Sequence, residues 1–389
     1  MPVDFNNLEI AFAAKNDKAL KKTHFVFATM KSNTLVKAGT TLTKLALKSG
    51  LPVKGIIKRT LFDIFCGGET IEECVSTAAQ MQKFNVGAIL DYSVEGEKTE
   101  AGFDSTCAEV IKTIDRAGKS ENMPFAAFKI TGVGAFDLLA KIHSGETLTA
   151  DEQAAYDRIE ERVGRICAKA AEVNVPVLID AEETWIQKPI DDLTIAMMEK
   201  YNQGRAMIYY TFQMYCHSML ANLKTLHAHA AEKGYVLGAK LVRGAYMEKE
   251  RARAAELNYQ DPIQPDKPSS DRDFDAGLEY CVSHVTEINL FAGSHNEDSN
   301  LKLARLIKEH GLEASDKRVS FGQLYGMSDN ISYNLADAGY NVAKYVPYGP
   351  IKASMPYLFR RAEENTSVKG QSSRELTLIE REIARRKGQ

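Results

Sequence analysis

Residues 356–365 read "PYLFRRAEEN" and set two guanidinium groups within a turn of two carboxylates. On a helix, Arg360 and Glu364 share a face, and Arg361 lies three residues from Glu364. Two readings fit that spacing. The trio can be solvated pairing along an exposed helix. It can also clamp a zwitterion, with two guanidinium forks for a carboxylate and one carboxylate for an amine. Lysines inside apolar runs raise a related question. Lys129 in "AFKIT" and Lys240 in "GAKLV" put an ammonium where burial demands a partner. Asp180 in "LIDAEE" is a candidate partner. Either lysine also suits Schiff-base chemistry of the kind found in barrel aldolases.

Such residues need rigid elements beneath them. Short β-branched or aromatic runs recur at Val86–Ser93, Phe125–Gly132, Val175–Glu182, Ala206–Tyr215, Tyr235–Tyr246, Ile288–Asn296, Val319–Gly326 and Asn341–Gly349. Near-continuous apolar runs suit parallel strands covered on both faces. Segments of helical period separate them, and Gly234, Gly311 and Gly339 stand where left-handed C-caps are expected. The pattern predicts an α/β fold, a (β/α)8 TIM-type barrel with an N-terminal helical arm. An open doubly wound sheet is the alternative. Residues 1–80 are expected to form the arm or cap, 81–370 the barrel, and 371–389 a helical tail, exposed and amphipathic. Ala255 to Arg272, with three prolines, is expected to be one long loop after the fifth strand, on the catalytic face.

Polar residues gather where these runs end: Asp91, Lys129, Thr131, Asp180, Glu182, Gln213, Lys240, His295, Asn296, Gln323 and Tyr345. In a barrel, strand ends meet at one mouth. Exposure at strand ends accounts for short residues such as Ser93, but poorly for the lysines.

Composition narrows the function classes. The chain has 389 residues and a formal net charge of −3, which argues against nucleic acid as the main partner. No apolar run is long enough to span a bilayer. The N-terminal stretch has neither the secretory nor the transit layout, so a cytoplasmic protein is expected. The six cysteines are scattered without a C-x-x-C, which suits reduced, buried thiols. His227 and His229 are two apart and face different ways on a helix, so no metal site is expected. "GVGAFD" imitates a dinucleotide fingerprint, but Asp137 fills the position of the third small residue, and a tight turn is the better reading.

"KLVRGAY" (Lys240 to Tyr246), "YVPYG" (Tyr345 to Gly349) and "PYLFRRAEEN" together resemble proline dehydrogenase. "LDYSVE", "FKITG", "LIDAEE" and "SHN" extend the likeness in order, from about Asp63 to the end of the chain. The resemblance implies a flavoenzyme using FAD on a (β/α)8 barrel. It would oxidise L-proline to Δ1-pyrroline-5-carboxylate and pass electrons to a quinone. Carried over by position, the substrate clamp falls on Arg360 and Arg361, with Glu364 pairing to them and fixing their rotamers. Lys129 and Asp180 match the active-site lysine and aspartate. Leu324 and Tyr345 would pack on the pyrrolidine ring, and Tyr246 would close the pocket. Flavin contacts fall on Gln213, Lys240, Val242, Gly244, Tyr246, His295 and Asn296. Some relatives carry arginine where Lys240 stands.

The chemistry is consistent with that assignment. Hydride loss from the carbon beside nitrogen leaves an iminium, the amine must be neutral for its lone pair to assist, and the acceptor needs a cation nearby. No side chain is required as general base. The bulk of Tyr345 should crowd a 4-hydroxyl group, which favours proline; a hydroxyproline-preferring dehydrogenase is an alternative, as are the Schiff-base lyase and a non-catalytic binding barrel. A quinone acceptor implies transient peripheral contact with the inner membrane, through the N-terminal helices or the tail. Nothing in the chain resembles an aldehyde dehydrogenase, so a separate pyrroline-5-carboxylate dehydrogenase is the expected downstream partner.

Overall fold

The computed structural model describes residues 3–48, 54–93, 97–367 and 371–388. Eight strands close into a barrel in sequence order: β1 (Val86–Tyr92), β2 (Phe125–Lys129), β3 (Val177–Asp180), β4 (Ile208–Gln213), β5 (Leu237–Val242), β6 (Ile288–Gly293), β7 (Val319–Leu324) and β8 (Val342–Tyr348). Each strand lies inside a run predicted from the sequence, and the open sheet is excluded. The runs overshoot at their ends because polar residues there leave the ladder. After Lys129 the chain turns into a 3-10 helix, Ile130–Gly132.

Helices alternate with the strands for readable reasons. The helix Ala150–Val173 begins in a full capping box, Thr149 with Glu152, and ends in left-handed Asn174. Gly234 caps Met219–Lys233 at φ 76°, and Gly311 and Gly339 also take positive φ, as the sequence predicts.

By compactness the chain falls into two units. One comprises Gly96–Gly322 with Gly339–Ala343 and holds β2 to β6. Its paired strands run parallel, with Lys129 opposite Asp180 and Gln213 opposite Val242. The proline-bearing segment in this unit differs from expectation. Helix Met247–Leu257 runs into it and helix Lys267–Ser283 starts inside it, leaving only residues 258–266 irregular. Asp266 caps the second helix by accepting from the Ser269 N–H at 2.8 Å. Pro268 falls in the first turn, where a missing N–H costs nothing.

The other unit comprises Met1–Glu95, Gln323–Ala338 and Lys344–Gln389. Its core joins Phe27, Phe62, Phe65, Leu358, Leu378 and Ile379. Helix Asp17–Met30 presents Leu20, Thr23, Phe27 and Met30 at helical spacing. Helix Gln371–Lys387 packs on it and buries Leu376, Leu378, Ile379 and Glu382. The tail is therefore not the exposed helix the sequence suggests. Its Arg386 also donates to the carbonyls of Phe12 and Lys15, at 3.0 and 2.8 Å.

Candidate active site

Register places the charges. Lys129 ends β2 directly opposite Asp180, which ends β3, and Lys240 lies within β5. Lys240 Nζ donates to Asp180 Oδ1 at 2.6 Å, and Lys129 Nζ donates to Asp180 Oδ2 at 3.1 Å. Burial alone would push the Asp180 carboxyl up; the two ammoniums outweigh it and hold the group ionised, below the usual range. One aspartate thus accepts from two lysines that come from different strands, both amines donating to the same carboxylate.

The loop after β3 ties this cluster to its neighbours. The Glu182 carboxylate accepts from the Thr131 N–H at 3.1 Å and from its hydroxyl at 2.5 Å. The Glu182 carbonyl accepts from the Gln213 side-chain amide at 2.8 Å. Glu183 pairs with Lys249 at 2.6 Å, and Glu250 accepts from both the N–H and the hydroxyl of Thr184 at 2.7 Å. The turn after β2, the end of β4 and the helix after β5 are thus tied to three consecutive residues, 182–184. Burial pushes the Glu182 carboxyl up to about 7 against the hydrogen bonds from Thr131.

Past β5, Arg243 spends its fork on Asp271 (2.7 Å), Ser294 (2.8 Å) and Ser299 (2.9 Å). Val242 is the last residue of β5. Gly244 has φ 138°, and a Cβ there would lie 2.4 Å from the Tyr215 ring, so no larger residue fits. Tyr246 is the half-buried N-cap of helix Met247–Leu257, with Lys249 Nζ 5.6 Å from its ring centroid. His295 is half-buried, and Asn296 caps helix Glu297–Glu309 by accepting from the Ser299 N–H at 3.0 Å. The donor types carried here, two lysines, the amides of Gln213 and Asn296, an imidazole and a side-chain-free backbone at Gly244, are of the kind a flavin requires.

In the other unit, Tyr345 is buried within β8 and its carbonyl accepts from the Tyr325 N–H at 2.8 Å. Leu324 ends β7, partly buried. Helix Met355–Ser367 carries half-buried Arg360 and buried Arg361, the latter only 7% exposed and 5.2 Å from the Tyr357 ring centroid. That burial counts against a trio that is only solvated pairing. Glu364 lies on this helix with its side chain outside the described residues.

The structure therefore brings Lys129, Asp180 and Lys240 into one bonded cluster, with Gln213 joined to it through Glu182. Sequence reasoning missed Arg243, Glu250 and the function of Glu182 as a tether. Arg243 lies inside "KLVRGAY" and was within reach of that motif; Glu250, in the charged stretch "MEKER", carries no signal that separates it from a solvated face.

The proline dehydrogenase family profile matches residues 74–374. The chain belongs to the proline dehydrogenase family. It is similar to the carbapenem antibiotics biosynthesis protein CarD of Pectobacterium carotovorum subsp. carotovorum, with 35% identity over 83% of this chain and 84% of that protein. It is 31% identical to mitochondrial proline dehydrogenase 1 of Dictyostelium discoideum, over 86% of this chain and 66% of the relative. The human enzyme of that name is 41% identical over 61% of this chain and 40% of its own length. Its fold matches that of proline utilization A from Bdellovibrio bacteriovorus inactivated by N-propargylglycine, with a TM-score of 0.73 and 19% identity. That match covers 92% of this chain and 38% of the larger protein.

Proposed function

We propose that the chain oxidises L-proline to Δ1-pyrroline-5-carboxylate with FAD as its cofactor. The observation that carries this reading is Asp180 bridging Lys129 and Lys240 at the ends of parallel strands. When bound, FAD supplies the acceptor for the hydride leaving the carbon beside nitrogen. The chain's own residues do the rest. Lys129 and Lys240, fixed by Asp180, provide a positive field and disfavour a second positive charge on the substrate amine, so the neutral amine is the form that reacts. Arg360 and Arg361 hold the carboxylate, and Glu364 fixes their rotamers. Leu324 and Tyr345 pack on the pyrrolidine ring, and Tyr246 closes over it. Gln213, Lys240, Val242, Gly244, Tyr246, His295 and Asn296 hold the cofactor.

In this reading a quinone takes the electrons, and a separate pyrroline-5-carboxylate dehydrogenase consumes the product. Among the described residues no helix is long and apolar enough to cross a membrane. We place the quinone encounter at a transient membrane contact of a cytoplasmic protein. The tail's apolar face is buried, so Phe25 and Leu42, each 65% exposed on the N-terminal helices, are the better contact residues.

The test is direct. Purified protein supplemented with FAD is expected to be yellow, to bleach on addition of L-proline without oxygen, and to yield the pyrroline product by mass spectrometry. A colourless protein that borohydride traps on Lys129 or Lys240 would replace this reading with the lyase.

A further inference from the structure

The loop from Leu324 to Asp329 is held in an uncommon conformation from three directions. Gly326 has φ 80°, and a Cβ there would meet the Ile64 carbonyl oxygen at 2.1 Å. Ser328 has φ 50°, a region that residues with side chains rarely enter. Its backbone N–H donates to a carboxylate oxygen of Glu375, which arrives from the C-terminal helix and is 7% exposed. Beside it, Lys344 Nζ donates to the Met327 carbonyl at 2.6 Å and pairs with Asp329 at 2.8 Å. Lys15 takes the other oxygen of Asp329. A buried amide needs an acceptor, and Glu375 supplies it at the turn's most constrained residue.

This turn matters because of what it joins. It begins at Leu324, and Tyr325, the next residue, donates its N–H to the Tyr345 carbonyl at 2.8 Å. Leu324 and Tyr345 are the two residues assigned above to the pyrrolidine ring. We propose that Glu375 is a positioning residue of the substrate wall: from the C-terminal helix it fixes the strand-7 loop through the Ser328 amide, and so sets how closely Leu324 and Tyr345 fit the ring. The inference rests on the proline-oxidation reading and gives the tail a role other than the membrane contact considered from the sequence.

The experiment uses the full-length, FAD-loaded protein and three variants. Glu375→Ala is expected to raise KM for L-proline about tenfold with kcat within about threefold, and to raise the relative kcat/KM for 4-hydroxyproline at least about fivefold. Amides 325–328 should exchange with deuterium at least about tenfold faster. Glu375→Gln keeps a carbonyl acceptor and should restore both properties. Glu382→Ala, on the same helix, removes the partner of Arg385 and Arg386. It should lower Tm without moving substrate preference. If Glu375→Ala lowers Tm as Glu382→Ala does and leaves KM and preference unchanged, the inference is overturned. If Glu375→Ala does not fold, Glu375→Asp, one methylene shorter, is read in the same way. Absence of proline turnover in the unmodified protein would remove the functional reading instead. Loop exchange then decides alone: faster exchange in the variant sustains the positioning role, and unchanged exchange ends it.

Discussion

Asp180 and Asp329 each bridge two lysines, in different units of the chain. A glutamate with a carboxyl raised to about 7 accompanies each, Glu182 and Glu375 respectively, and each accepts from a backbone N–H. The charge inventory is the same, yet the surroundings differ. Around Asp180 the partners are strand residues, Lys129 at the end of β2 and Lys240 within β5, and Lys129 keeps a quarter of its side-chain surface exposed. Around Asp329, Lys344 is 1% exposed and also donates to the Met327 carbonyl, while Lys15 arrives from the connection between helices Leu8–Ala11 and Asp17–Met30. The first cluster keeps one lysine partly exposed; the second is a staple joining distant segments. A buried charge pair by itself says nothing about catalysis.

The strongest way to break this comparison is to remove each aspartate. Asp180→Ala should cost about a thousandfold in kcat/KM for L-proline per folded molecule, and it should also lower the urea midpoint because buried Lys240 loses its counter-ion. Asp329→Ala strands Lys344 without its counter-ion and should cost about 3–5 kcal/mol of stability. Equal stability losses with activity retained per folded molecule would erase the distinction.

Arginine geometry gives the next largest effect. Arg361→Lys keeps the charge but loses the fork, so KM for L-proline should rise about a hundredfold with kcat nearly unchanged. A KM that does not move would return the arginines to ordinary helix pairing.

The two raised glutamates sharpen the parallel through pH. A carboxyl raised on folding binds its proton in the native state first, so the fold loses stability as pH climbs from about 4.5 to about 7. The contribution of Glu182 is at most about 3 kcal/mol. Asp329 has the opposite sign: burial raises it, Lys15 and Lys344 outweigh burial, and it sits at about 2. Its contribution is present above pH 4 and fades as pH falls toward 2. Denaturant titrations between pH 4 and 8 should show a shallower slope for Glu182→Gln than for the unmodified protein; identical slopes would contradict the raised carboxyl.

The smallest effect concerns Tyr345. Tyr345→Ser should raise kcat/KM for 4-hydroxyproline relative to proline by about three- to tenfold. No change in that ratio would show that the ring of Tyr345 does not select against the hydroxyl.

Much of the scaffold was readable residue by residue. Apolar runs marked all eight strands, and glycines 234, 311 and 339 marked helix ends, because burial on both faces and left-handed φ impose local composition. The failures share a cause as well. Lys344 in "VAKYV" looks like Lys129 in "AFKIT", but adjacent strand residues point to opposite faces, so Lys344 and its neighbour Tyr345 have different surroundings. Glu250 and Glu375 look like solvated helix charges until a neighbouring loop supplies an N–H for each. The segment after Leu257 looked like one loop because prolines suggest breaks, although one of them only opened a helix.

What the sequence determined by itself was the set of elements, their order and the family motifs, since periodicity, capping and turn chemistry act over a few residues. Tertiary structure alone decided which lysine joins which aspartate across sequence separations of 51 or 60 residues, and how exposed each cluster is. Ion pairing and burial depend on strand register and on what packs above it, and neither quantity is written in any short window of the chain.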